Sequence, residues 1–453
     1  MEHSQSRWLA AAVVALSLLV PWDRPGRLSS ASAAAGPSEA VADDPCAGLA
    51  TDKETHAVVP LPKPALGQVV VDPAFGTRIR RITDAKQQFG ASVAKPVYST
   101  IPAWNADESL LIVYVTGGGG GGSYALLDGR TYKFVRFLDL RPPDLEQYFW
   151  SASDPDAIFY VRNEKLDSGY FRALVKYRVS TGKLSVVRKF ADCDGDTWQV
   201  TAGSDPMYSS WDNDLWGFAC KNYSSGAVKS VWTYRISTGR ESAHVLREEA
   251  PQPTASGRAA LGARRSGEQG LADVLNPDSL LVSRTLMLSF AEHADQLVLA
   301  NGTDVYAAVS YDGPIEATLA TEETLSGKVD VVVGRAAGFK IYPPTSTHIS
   351  GLAFRRPGWV AVSVVGDRGG AKLLAQELLI ADLNTKGRVC RVAHHYSHAT
   401  QKGTLAYWAE PHVVISPTAT RLLFGSDWGG GDTVDSYVVE LPAYGRHDAP
   451  PGK

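Results

Sequence analysis

Hydrophobic and polar positions along this chain alternate in short bursts rather than in helical waves. Six stretches share one plan: 98–115 (YSTIPAWNADESLLIVYV), 148–161 (YFWSASDPDAIFYV), 207–220 (MYSSWDNDLWGFAC), 293–310 (HADQLVLANGTDVYAAVS), 348–365 (HISGLAFRRPGWVAVSVV) and 412–427 (HVVISPTATRLLFGSD). Each reads as a short strand, a turn of Asp, Asn, Ser, Pro or Gly, and a second apolar strand. Another alternating strand follows most of them, as in 173–184 (ALVKYRVSTGKL) and 230–241 (SVWTYRISTGRE). A repeat of about 45–60 residues with three or four strands is one blade of a β-propeller. One blade cannot bury both of its faces, so blades stack in a ring around an axis. The pattern therefore predicts an all-β propeller of six to eight blades, with seven as the expected number.

The intervals complete this reading. Residues 68–83 (QVVVDPAFGTRIRRIT) look like an outer strand pair with no inner partners, and are expected to close the ring beside 436–441 (SYVVEL). Residues 251–270 (PQPTASGRAALGARRSGEQG) have no apolar period and are expected to be a flexible insertion. Residues 271–290 read as strand or short helix, and 329–342 as outer strands. One propeller domain thus spans 65–442, preceded by a flexible lead over 36–64 and followed by a frayed tail over 443–453.

Composition agrees with this fold. Of 453 residues, 44% are hydrophobic and 21% charged, which provides ample core. A net charge of −3 argues against a general nucleic-acid binder. At the N-terminus Arg7 precedes an apolar run over 8–20, and small residues follow over 31–36. This is the layout of a signal peptide over 1–35, and the apolar run is short for a membrane span. The expectation is a secreted, periplasmic or cell-envelope protein, with no membrane span in the mature chain and a monomeric state. Export makes disulfides possible for the four cysteines. Cys193 and Cys220 fall in one blade, which leaves Cys46 and Cys390 to tie the lead to a late blade. The alternative is four buried thiols.

The motif SPTATRLLFGSDWGG (416–430) resembles the blade signature of TolB-type propellers, in which a Ser-Pro-Asp-Gly turn precedes a strand and a Ser-Asp. Ser416, Pro417, Phe424, Ser426 and Asp427 match it, while Thr418 and Ala419 stand in for Asp-Gly. Trp104, Asn105 and Asp107 look like the same device. EPHVVIS (410–416) and THIS (347–350) are similar to inner-strand starts in propeller polysaccharide lyases such as oligogalacturonate lyase. That resemblance implies cleavage of an acidic polysaccharide by β-elimination at the axis, with a divalent metal (Mn, Zn or Ca) held by His and Gln side chains. Glu410 here replaces one of those nitrogen or amide ligands. Rings of this kind also serve as scaffolds and binding modules. The competing expectation is therefore a non-catalytic protein-interaction or envelope module.

His348, Glu410 and His412 form the candidate metal set. Alternation along a strand would turn Glu410 and His412 to one side, and two imidazoles with a carboxylate can hold a divalent ion and leave positions open. Otherwise the histidines bond between blades and Glu410 pairs with an Arg. His394, His395 and His398 (AHHYSH) lie on a connection between blades, either as an exposed polar loop or as a source of a general base. A polyuronate lyase needs a cation beside the sugar carboxylate, a base for the α-proton and an acid for the leaving oxygen. Arg162 (with Arg172 and Lys176 nearby), His398 and Tyr98 are the catalytic candidates. Tyr407, Trp408 and Trp428 are candidates for stacking on sugar faces. The six glycines over 117–122 lack the Lys-Ser/Thr of a phosphate loop and read as a mobile hairpin. DCDGD (192–196) lacks calcium-loop spacing, and no GxSxG elbow is present.

Overall fold

The computed structural model describes residues 44–444 except 120, 194, 204–206, 267–268, 289–292, 311–314, 316–317, 340–346, 386 and 399–403. The expected signal peptide and nearly all of the expected tail lie outside the described residues. The described residues form seven antiparallel sheets, six of four strands and one of five, arranged as a seven-bladed β-propeller. In chain order the blades cover 93–138, 148–189, 198–241, 252–285, 294–333, 347–394 and 414–440. No helix among the described residues is long and apolar enough to cross a membrane.

In three repeats the turn is set by a polar residue of its own. Asn105 accepts from the Leu110 N–H at 2.9 Å, Ser210 from Leu215 at 2.9 Å, and Ser416 from Thr420 and Arg421 at 3.3 and 3.2 Å. Three residues after each acceptor the backbone turns left-handed, at Glu108 (φ 59), Asn213 (φ 58) and Ala419 (φ 56). Glycine would take this conformation freely; other residues meet a penalty of roughly 1–2 kcal/mol. Glu108 has a further task. Its carboxylate bonds the buried Arg421 at 2.5 Å and the Thr418 N–H at 2.7 Å, which locks the turn of blade 1 to the turn of blade 7.

Blade 7 is the closing blade. Its strand order is Val69–Val71, Arg78–Arg81, Asp435–Glu440, Arg421–Ser426, Val414–Ile415. Arg78 pairs with Glu440 and Arg81 with Tyr437, so the N-terminal strand pair completes the C-terminal sheet as the sequence suggested. Both disulfides form, Cys193 with Cys220 and Cys46 with Cys390.

Two expectations are corrected. Residues 251–270 are not an insertion: Gln252–Pro253, Ala260–Ser266 and the first part of Gln269–Leu275 are strands of blade 4. Their small residues, which erased the apolar period, suit close approach between blades. A Cβ on Gly257 would lie 3.2 Å from the Ser210 side chain of blade 3, and one on Gly217 of blade 3 would lie 1.7 Å from the Pro251 carbonyl. Residues 44–64, expected as a flexible lead, are strapped to blades 6 and 7. Ala50 bridges Arg391, the Val58 N–H donates to the Gly369 carbonyl, and the Trp428 indole donates to the Leu61 carbonyl. Arg391, fully buried, pairs with Glu377 and reaches Asp52 of the strap at 3.1 Å.

Blades 5 and 6 are joined by Asp295, whose carboxylate accepts the Gly351 N–H at 2.6 Å and the Gln296 N–H at 2.8 Å. Burial pushes this carboxyl up to about 7, against those two hydrogen bonds. The folded state therefore holds the proton more tightly than the unfolded chain. The resulting stabilisation is complete below about pH 4 and is lost as pH rises toward 7. Urea unfolding of Asp295→Asn should show a shallower decline in stability across that window than the parent protein; an unchanged slope would contradict the assignment. Replacing Cys46 and Cys390 together by Ala should lower stability by about 2–4 kcal/mol in the same assay, because the strap then loses its covalent anchor. No change in midpoint would show that the anchor is idle.

Candidate metal centre

First strands of neighbouring blades line the axis, and four of them deliver side chains to one point. His348 lies on Thr347–Ser350 of blade 6. His293 immediately precedes Ala294–Val298 of blade 5. Glu410 and His412 stand in the turn before Val414–Ile415 of blade 7. Lys95 ends Val93–Lys95 of blade 1, and Tyr98 follows it. Glu410 and His412 converge through a turn rather than through strand alternation, with His412 at φ 43. A left-handed non-glycine residue of this kind persists only where its surroundings over-determine it.

One carboxylate oxygen of Glu410 lies 3.5 Å from His348 Nε2 and 3.7 Å from His412 Nε2. The two imidazole rings are 4.3 Å apart, His293 lies 4.6 Å from His348, and Tyr98 is 4.9 Å from His412 and 5.5 Å from His348. His348 and His412 are 1% and 0% exposed, while the Glu410 side chain keeps 21%. Burial, and then the neighbouring His412 and His293, hold His348 well below the usual histidine range. Burial, and then Lys95, do the same for His412. Both imidazoles are thus neutral near pH 7, the form that ligates metal.

Beneath His412 lies Lys95, fully buried, with its amine 2.9 Å from His412 Nδ1 and 2.6 Å from the Glu410 backbone oxygen. Burial lowers the amine to about 7, against the attraction of Glu410 and Glu146. A neutral amine can donate to that carbonyl while accepting the Nδ1 hydrogen. His412 Nε2 is then left facing Glu410, and among the described residues it has no hydrogen-bond partner of its own.

The residues fit a small divalent ion. One ligand atom from each of His348, Glu410 and His412 lies within 4.8 Å of the others. Ligand atoms around a transition-metal ion at about 2.1 Å stand roughly 3–3.5 Å apart, close to the spacings found here. Two imidazoles and one carboxylate suit manganese, iron, cobalt or zinc better than calcium, which favours six to eight oxygens.

The remaining candidates divide. Tyr98 is at the centre. Tyr407, 45% exposed, lies 5.2 Å from His412, and Trp408 stacks on Tyr114 beside Lys95. Trp428 is corrected: its ring is sandwiched between Tyr396 and Tyr437 at 4.6 and 4.7 Å, so it offers no face to a sugar. Among the described residues His398 makes none of the contacts that join the centre; its backbone N–H donates to Asp427 at 2.8 Å and its ring lies beside Gly430. Arg162 pairs with Glu164 at 2.6 Å on the second strand of blade 2, away from the trio's contacts. His394 and His395 are buried rather than in an exposed loop: His394 meets Asp72 at 3.4 Å and His395 bonds the Val364 carbonyl at 3.1 Å. Lys95 and His293 were missed. A lone lysine in the apolar run SVAKPVY, and a histidine opening the fifth repeat as His348 opens the sixth, were the available signals.

No family model matches the chain, and a search of curated proteins finds no relative. Solved structures do resemble it. An oligogalacturonate lyase in complex with manganese superimposes with a TM-score of 0.57 at 15% identity, covering 86% of this chain and 99% of that one. An oligogalacturonate lyase from Vibrio parahaemolyticus gives a TM-score of 0.56 at 14% identity, covering 83% and 99%. TolB from Acinetobacter baumannii is more distant, with a TM-score of 0.35 at 11% identity over 74% of this chain and 80% of its own. At the level of fold, the chain is similar to the oligogalacturonate lyase propellers over nearly their whole length.

Proposed function

We propose that this protein is an exported propeller that grips an acidic polysaccharide over its axis and cleaves it by metal-assisted β-elimination. The observation that carries this reading is the convergence of His348, Glu410 and His412 on one point of the axis. The fold shared with a lyase complexed with manganese supports it, and the two disulfides support export.

His348, Glu410 and His412 would hold the ion. Such an ion supplies positive charge against the uronate carboxylate, which acidifies the proton on the adjacent carbon. His293, at the edge of the trio, replaces His398 as the candidate for the base that takes this proton. As the electron pair left behind forms the C=C bond, the C–O bond to the next sugar breaks. Tyr98, with its ring 4.9 Å from that of His412, would give the departing oxygen its proton. Tyr407, exposed beside His412, offers a ring for a sugar face, with Trp408 next to it. Lys95 touches the centre only from beneath. The near-complete burial of both imidazoles favours a second reading, a binding module without chemistry, in which Glu410 is the one member of the trio that meets solvent.

The two readings separate in one assay. Chelator-treated protein is offered oligogalacturonate and related polyuronates with and without added Mn²⁺, and the ultraviolet absorbance of the unsaturated product is followed. The lyase reading expects product only with metal. It also expects His348→Ala and His412→Ala each to lose bound metal by elemental analysis and at least about 100-fold of the rate. Product formation indifferent to chelator and to both substitutions would contradict it, and absence of product on every polyuronate would favour the binding module.

A further inference from the structure

We propose that Lys95 is the positioning residue of the metal centre, gripping both ends of the turn Glu410–Pro411–His412 so that the carboxylate and the Nε2 atom of His412 face one another. The inference rests on the metal reading above and adds a residue that neither the sequence motifs nor the likeness to lyases points to.

The geometry is that of a clamp. The Lys95 amine meets the Glu410 backbone oxygen at 2.6 Å and the His412 Nδ1 at 2.9 Å, spanning the turn from its first residue to its last. The middle residue is held from blade 7, where the Gly425 N–H donates to the Pro411 carbonyl at 2.8 Å, and the Glu410 N–H donates to Tyr407 at 3.1 Å. Gly425 also makes room for the lysine stem. A Cβ at that position would lie 3.1 Å from the Lys95 side-chain carbons. The absence of a side chain on one strand thus admits the long side chain of another, from the blade that follows around the ring.

A lysine is an expensive way to fill this space. Burying an amine forfeits its hydration, and among the described residues Lys95 joins no ion pair within 4 Å. An apolar side chain of similar length would pack at least as well. What it could not do is meet Nδ1 of His412, whose ring also bonds the Val97 backbone. With that nitrogen engaged, Nε2 is the atom left for a metal, and the ring cannot turn without breaking the contact. Groups behind metal-ligating histidines commonly fix ring orientation in this way, and their loss typically weakens metal binding 10–100-fold. Lys95 also ties blade 1 to blade 7, so the centre depends on the seam where the ring closes.

Cobalt(II) tests this, because its visible absorption reports coordination geometry independently of any catalytic turnover. Metal-free wild-type protein, Lys95→Met and Lys95→Gln are titrated with Co²⁺ and their spectra recorded, with thermal unfolding of the metal-free forms as a folding control. Glutamine can donate to the Glu410 carbonyl and accept from Nδ1, so it keeps both contacts without an amine. The expected result is a wild-type ligand-field band, 10–100-fold weaker binding with an altered band in Lys95→Met, and recovery of most of the affinity in Lys95→Gln. Lys95→Met matching wild type in affinity and band overturns the positioning role while leaving the metal centre standing. Lys95→Gln as weak as a folded Lys95→Met also overturns it. Should Lys95→Met fail to fold, Lys95→Gln against wild type decides: retained affinity and band support the role, and a loss matching that of His412→Ala overturns it. A wild-type protein that takes up no Co²⁺ overturns the metal reading itself, and this inference with it.

Discussion

The pairing of Arg78–Arg81 with the last strand of the chain is the constraint on which the rest depends. Four residues near the start of the described chain add themselves to a sheet built from its end and turn an array of blades into a circle. Arg421 and Glu108 reinforce the same seam with a buried ion pair, which is strongly destabilising to break from one side. Arg81 adds a bridge to the buried Asp435 at 3.0 Å. Blades stacked in an open arc would leave blade 1 and blade 7 apart. Closed, they place Lys95 and Tyr98 against Glu410 and His412, more than three hundred residues away in sequence. The side-chain cluster at the axis is therefore a product of closure, not of any one blade.

Most of the fold was legible in the sequence because it is written locally. Alternation marks the strands, and Asn105, Ser210 and Ser416 mark the turns by bonding their own backbone. Blade 4 was the exception. Its strands are rich in Ala, Gly and Arg, residues with little apolar signal of their own, and their burial is decided by the neighbouring blade. Tight contact between blades selects for small side chains, which are the ones that periodicity cannot see. Of the strap over 44–64 only the Cys46–Cys390 tie was legible, because the rest is held by hydrogen bonds and Arg391 rather than by its own pattern.

The centre was partly legible. His348, Glu410, His412 and Tyr98 were identifiable as polar residues at strand starts, the positions a propeller turns toward its axis. His398, Arg162 and Trp428 were chosen by residue type and not by place. The structure spends Arg162 on Glu164, Trp428 on two tyrosine rings, and the backbone of His398 on Asp427. Lys95 carried no motif. Its part arises only when the Glu410–His412 turn comes down on it from the other end of the chain.

Whether the closed seam builds a metal centre from His348, Glu410 and His412 is measured by anomalous diffraction at the manganese edge from crystals grown with Mn²⁺. The expected result is one strong peak at the axis within bonding distance of both imidazoles and the Glu410 carboxylate. A fully loaded crystal with no peak there, or with the ion held by other residues, would contradict it.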